Sequence, residues 1–125
     1  MDKYYKLLNR DLTHHGMVYH TGLNVDPVPF NDNPRNHIGP GGLYFTEMKG
    51  IQPILRPTHG WLAEVEIPDG ETAIGCNTAF GYAGRAHSLA ITKLYDLSKA
   101  DTWKFIRENT AIAFGSDILI RWLSV

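Results

Sequence analysis

Only one cysteine, Cys76, occurs in the 125 residues. A lone thiol excludes an intrachain disulfide and fits a reducing compartment. No apolar run approaches the roughly 18–20 residues that cross a bilayer. Positive charge is not in excess, since twelve Lys and Arg face thirteen Asp and Glu for a net charge of -1. Electrostatic capture of nucleic acid is therefore not expected, and no membrane partner is either. There is no internal repeat and no low-complexity linker. The phosphate-loop pattern that ends in Gly-Lys-Ser/Thr is missing, as is Gly-x-Ser-x-Gly. The six histidines show no His-x-x-x-His or Cys/His ligand spacing, so neither a metal nor a cofactor is expected. No apolar stretch of signal-peptide type follows Met1-Asp2-Lys3-Tyr4. The expectation is a soluble, cytoplasmic protein.

What is present suits one domain over residues 1–125, with 43 % hydrophobic residues to build a small core. Residues 4–8 and 17–20 read as strands. Residues 24–42, rich in Pro, Asn, Asp and Gly, read as a long ordered loop of a length that is often functional. Residues 43–45 read as a buried strand, from which Thr46 caps a short helix to about Leu55. Residues 61–67 alternate, with Trp61, Ala63, Val65 and Ile67 on one side and Glu64 and Glu66 on the other, and Pro68-Asp69-Gly70 turns the chain. Residues 73–76 are expected to pair with that strand, 77–86 to form a Gly-rich loop, and 89–94 to form a strand. Ser98-Lys99-Ala100-Asp101 reads as a capping box opening a helix that Asn109 or Gly115 ends. Residues 117–125 suggest a second short helix. Strands first and helices afterwards argue for an α+β fold: a small mixed or antiparallel sheet with two or three short helices, mainly C-terminal.

Two regions carry convergent polar and aromatic groups beside glycines. In Gly39-Pro40-Gly41-Gly42-Leu43-Tyr44-Phe45-Thr46-Glu47, a rigid turn brings Tyr44 close to an expected helix start, with Tyr19-His20-Thr21-Gly22 upstream. In the stretch 75–87, glycines let backbone N–H groups approach a phosphate. There Asn77, Tyr82, Arg85 and His87 are candidate ligand contacts, Arg85 as a planar donor and Tyr82 as a stacking ring. Arg35, in Asn31-Asp32-Asn33-Pro34-Arg35-Asn36-His37, is a candidate lid residue. His14 and His15 are adjacent and read as surface residues. Cys76 reads as a small buried thiol and not as a nucleophile.

Residues 4–47, with His15-Gly16, Tyr19-His20-Thr21-Gly22-Leu23-Asn24, Pro29-Phe30-Asn31 and Gly41-Gly42-Leu43-Tyr44-Phe45-Thr46, resemble a small uncharacterised domain of giant-virus and phage proteins. In giant viruses that domain sometimes precedes ankyrin repeats. Residues 63–68 also fit it. The resemblance implies a viral protein in a host cell's cytoplasm and no particular reaction. Tyr19-His20-Thr21-Gly22 with Gly42-Leu43-Tyr44-Phe45 is also similar to ADP-ribosyltransferases of the His-Tyr-Glu type. That likeness implies a ribose contact for His20 and nicotinamide stacking for Tyr44. The family's late catalytic Glu has no counterpart, since Glu108 falls on an expected helix. The function expected is a viral binding module for a nucleotide-like ligand, with sequestration of a host immune signal as its use. The alternatives are an ADP-ribosyltransferase-like enzyme acting on NAD and a protein-interaction module that inhibits a host protein. A homo-oligomer is expected, with residues 118–125 either as its interface or as part of the core.

Overall fold

The computed structural model describes residues 3–31, 33 and 41–109. The run Tyr4–Asn9 is β1, and its apolar residues lie on both faces because it is central in the sheet. A small hairpin follows, made of β2 (Thr13–His14) and β3 (Met17–Val18). Next come β4 (Gly22–Val25) and, after a long connector, β5 (Leu43–Thr46). A 3-10 turn over Met48–Gly50 runs into one turn of helix, α1 (Ile51–Ile54). The second half holds β6 (His59–Glu66), β7 (Ala73–Thr78), β8 (Gly81–Ala86), β9 (Ser88–Asp96) and α2 (Ala100–Glu108).

Seven strands form one sheet in the order β4-β9-β6-β1-β5-β8-β7, and each described pairing is antiparallel. Along β1, side chains alternate between two cores, as the period of two requires. Tyr5 and Leu7 join Met48, Ile51, Leu62, Leu97, Trp103 and Ile106 under the helices. Leu8 joins Tyr19, Leu43, Phe45, Ala63, Val65, Ala86, Leu89 and Ile91 on the other face. Helix α2 buries Thr102, Trp103 and Ile106 at helical spacing. Trp103 is pinned by its indole N–H, which donates to the Leu97 carbonyl at 2.8 Å.

The α+β expectation is corrected here. Strand takes 47 % and helix 16 % of the described residues, so the fold is dominated by antiparallel sheet, and its helices are not gathered at the C-terminus. The expected Gly-rich loop at 77–86 is largely β8 and the end of β7, a hairpin in register Gly75↔Gly84 and Asn77↔Tyr82. Its glycines serve close approach. A Cβ on Gly84 would lie 2.3 Å from the Ile74 carbonyl oxygen, and one on Gly75 would lie 2.6 Å from the Tyr82 hydroxyl. Residues 73–76 therefore pair with β8, not β6. Residues 24 and 25, expected in a loop, lie in β4. Thr46 ends β5 and caps nothing, while the helix it was expected to open is reduced to two short turns around Gly50 and Pro53. Helix α2 does start after Lys99 and end at Asn109, but without a side-chain cap, since the Ser98 hydroxyl is used on Asp96. The expected second C-terminal helix lies outside the described residues.

Candidate functional site

β1 and β5 share a single register pair, Tyr5↔Thr46. Just past it, the Lys6 amine donates to the Tyr44 carbonyl at 3.0 Å and bridges the two strands. Its Nζ also lies 5.2 Å from the Tyr19 ring centre and 6.0 Å from that of Tyr44. Lys6 is 3 % exposed, and no described carboxylate forms an ion pair with it. Burial lowers its pKa to about 7, against the pull of Asp26, which would raise it. Asp26 is already engaged, accepting from the Val28 and Gly42 N–H groups.

The β2–β3 hairpin closes one side. His15 at φ 51 and Gly16 at φ 79 form its tip, the paired left-handed conformation that a two-residue hairpin turn demands. This turn brings the His14 and His15 ring centres 4.0 Å apart at a tilt of 43° and sets His15 6.1 Å from the Tyr44 ring. Burial pushes His14 down to about 3, helped by Lys6, His15 and His59. After α1, the Arg56 N–H donates to His59 Nδ1 at 3.0 Å. His59 is also held below its ordinary pKa, by burial first and then by Arg56 and Lys6. β7 supplies the far wall with Ile74, Cys76 and Thr78.

Together these residues line a cavity of about 670 Å³. Lys6, Arg56, Arg85, His14, His15 and His59 line it, together with Tyr44, Phe80 and aliphatic groups, and no Asp or Glu is among the described lining residues. A site of this size with an apolar body and a few convergent polar groups suits a small molecule. The surplus of bases suits an anionic one. The histidines do not gather into a metal-holding group among the described residues.

Of the residues singled out from sequence, Tyr44 and Arg85 are cross-strand partners, and both line the cavity. Arg85 is buried, and its guanidinium donates to the Asn31 and Asn33 carbonyls at 3.0 and 2.8 Å. It therefore fastens the connector between β4 and β5. Gly42 is needed beside it, because a Cβ there would lie 2.6 Å from Arg85 Cδ. His20, Asn77, Tyr82 and His87 do not line the cavity. His20 is exposed with its ring on the Thr21 carbonyl, and Tyr82 packs on Tyr4 and Phe45. His87 lies beside the connector, its carbonyl accepting from the Asp26 N–H. Arg35 lies outside the described residues. Cys76, expected to be buried, is exposed.

Sequence reasoning missed Lys6, His14, His15, Arg56 and His59. The available signals were a lysine inside an apolar strand and a His-Gly pair at a hairpin tip.

The chain is 34 % identical over 105 residues to a putative ankyrin repeat protein of Acanthamoeba polyphaga mimivirus, covering 82 % of this chain and 51 % of that protein. It is 34 % identical over 110 residues to an uncharacterised protein of the same virus, covering 84 % of this chain and 75 % of that one. A second putative ankyrin repeat protein of mimivirus is 30 % identical over 115 residues, 90 % of this chain and 34 % of its own length. The chain thus spans about half of the first relative and a third of the last. No family model matches the chain, and no solved structure matches it.

Proposed function

Starting from a chain that belongs to the family of this uncharacterised mimivirus protein, we propose that it is a viral binding module for a nucleotide-like ligand, seated in the cavity between β1, β5 and the β2–β3 hairpin. The observation that carries this reading is the lining: six basic side chains and no described carboxylate, in a chain whose net charge is -1. Bases concentrated against the overall charge balance favour an anion such as a phosphate. Arg56 and the histidines supply donors at the mouth, while Tyr44, Phe80 and Ile74 offer an apolar surface to a ring.

Transfer of ADP-ribose from NAD is the weaker fit, since the described lining has no carboxylate to serve such chemistry and Glu108 lies exposed on α2. A module that holds a ligand and leaves it unchanged suits sequestration of a small host defence signal. Calorimetric titration with adenosine 5′-monophosphate and with adenosine tests the proposal. At least tenfold tighter binding of the phosphorylated compound is expected. Equal affinity, or no binding of either, contradicts it.

A second reading is favoured by one other observation. Val18, Leu23, Val25 and Val28 are exposed on and around the edge strand β4, and two relatives are named as ankyrin repeat proteins. A protein-interaction module would use that edge. Capture of a host protein that Leu23→Lys abolishes and adenosine monophosphate does not would support it.

A further inference from the structure

We propose that Lys6 is an amine nucleophile that captures small anionic aldehydes in the cavity as an imine. This rests on the anion-binding reading of the same cavity and adds a reacting atom to it. Three geometric facts carry the proposal. Lys6 sits on the central strand β1 and is one of the residues that line the cavity. No described carboxylate forms an ion pair with it. The basic side chains that line the cavity with it are His14 and His15 from the hairpin, Arg56 and His59 from the turn after α1, and Arg85 from β8. Tyr19, Tyr44 and the occupied carboxylate of Asp26 complete its surroundings.

Desolvation and neighbouring cations are the two conditions that keep a lysine neutral, and a neutral amine is the nucleophilic form. For Lys6 it is burial that lowers the amine to about 7, against the pull of Asp26. The Arg56 and Arg85 guanidinium groups attract an anionic substituent on the aldehyde and hold its carbonyl carbon near Nζ. The nitrogen lone pair attacks that carbon, a C–N bond forms, and the carbonyl π pair moves to oxygen, which takes up a proton. That proton comes from the nitrogen and is passed on by water. The hydroxyl takes a second proton from solvent and leaves as water while the nitrogen pair closes the C=N bond, and the resulting iminium returns a proton to solvent. Amine and aldehyde become imine and water, and no oxidant or reductant is needed.

The test needs no variant and uses the full chain. It is incubated with substoichiometric pyridoxal 5′-phosphate or pyridoxal, reduced with borohydride, and mapped by peptide mass. Lys6 should carry most of the label, ahead of the exposed Lys3, Lys49, Lys93, Lys99 and Lys104. The phosphorylated aldehyde should react at least tenfold faster than pyridoxal, and inorganic phosphate should slow it. The rate at Lys6 should be half-maximal near pH 7, well below the ordinary lysine value of about 10.4. Label spread over the exposed lysines with Lys6 bare overturns the proposal. Tight binding of adenosine monophosphate with Lys6 unlabelled overturns the imine alone and leaves the binding module standing. Rapid Lys6 labelling that pyridoxal matches and phosphate does not slow overturns the pairing of amine with anion subsite, and the binding proposal with it.

Discussion

Lys6 and Arg56 separate binding from folding at single positions. Lys6 is buried without a described ion pair, so its charged form is penalised in the native state. Lys6→Met keeps the stem volume and removes that cost. At pH 6 it should raise the melting temperature by about 4 °C or more, read by circular dichroism, while weakening binding of adenosine monophosphate. Arg56 is exposed at the cavity mouth. Arg56→Ala should leave stability nearly unchanged and cost roughly 1.5–3 kcal/mol of binding, the range for a hydrogen bond to a charged group. That is about ten- to hundredfold in affinity by calorimetry. Arg107, exposed on α2, is the charge-matched control and should change affinity little. Arg85→Ala should chiefly destabilise, because its guanidinium holds two backbone carbonyls. Tyr44 and Arg85 stood out in the sequence because Gly41-Gly42 and Gly84 lie close by, and both line the cavity. Lys6 did not. Within Tyr-Tyr-Lys-Leu-Leu a lysine reads as a side chain reaching solvent, and its burial depends on β1 being central, which no local pattern states.

The β7–β8 hairpin shows where element-level reading fails. Glycine usually weakens a strand interior, so the stretch reads as a loop. Here the missing side chains let the Tyr82 ring and the Ile74 carbonyl come close. Gly84→Ala should therefore part β7 from β8 and cost roughly 1–3 kcal/mol, the usual range for overpacking, measured by urea denaturation. Gly16→Ala is a contrasting case. Nothing lies within 4 Å of its added Cβ, and only the φ of +79° opposes it. It should cost about 1–2 kcal/mol from backbone strain and weaken ligand binding, since the same turn sets the His14 and His15 rings. Strand β6 was readable from its alternation, β9 from the β-branched Ile91 and Thr92, and β1 and β5 as short aromatic-aliphatic runs. The capping sites were not, because the Thr46 backbone belongs to β5 and the Ser98 hydroxyl is spent on Asp96 instead of on a helix start.

At the scale of the whole molecule, the cavity's bases make stability depend on pH in one direction. Lys6, His14 and His59 all have native pKa values below their ordinary ones, so the unfolded chain binds more protons than the native one. Stability then rises with pH. Lys6 contributes its loss as pH falls from its ordinary range toward about 7. His14 and His59 contribute theirs below about 6.5, His14 until pH nears about 3. Asp96 adds to the loss at the acid end: burial would raise its pKa, but hydrogen bonds from Arg10 and Ser98 outweigh that and hold it at about 2. The melting temperature should fall steadily from pH 8 to pH 5, and phosphate should restore more of it at pH 6 than at pH 8. A flat profile with no phosphate effect would mean that these bases do not face an anion site. Among the described residues no helix is long and apolar enough to cross a membrane.

The most direct test of the anion-binding cavity is a nuclear magnetic resonance titration of the nitrogen-15-labelled full chain with adenosine 5′-monophosphate. The expected result is saturable shifts of backbone amides in β1, at the His14-His15 turn, across Arg56 to His59, and along β5, β7 and β8. Saturable shifts confined to β4 or α2, or none at millimolar ligand, would contradict the account.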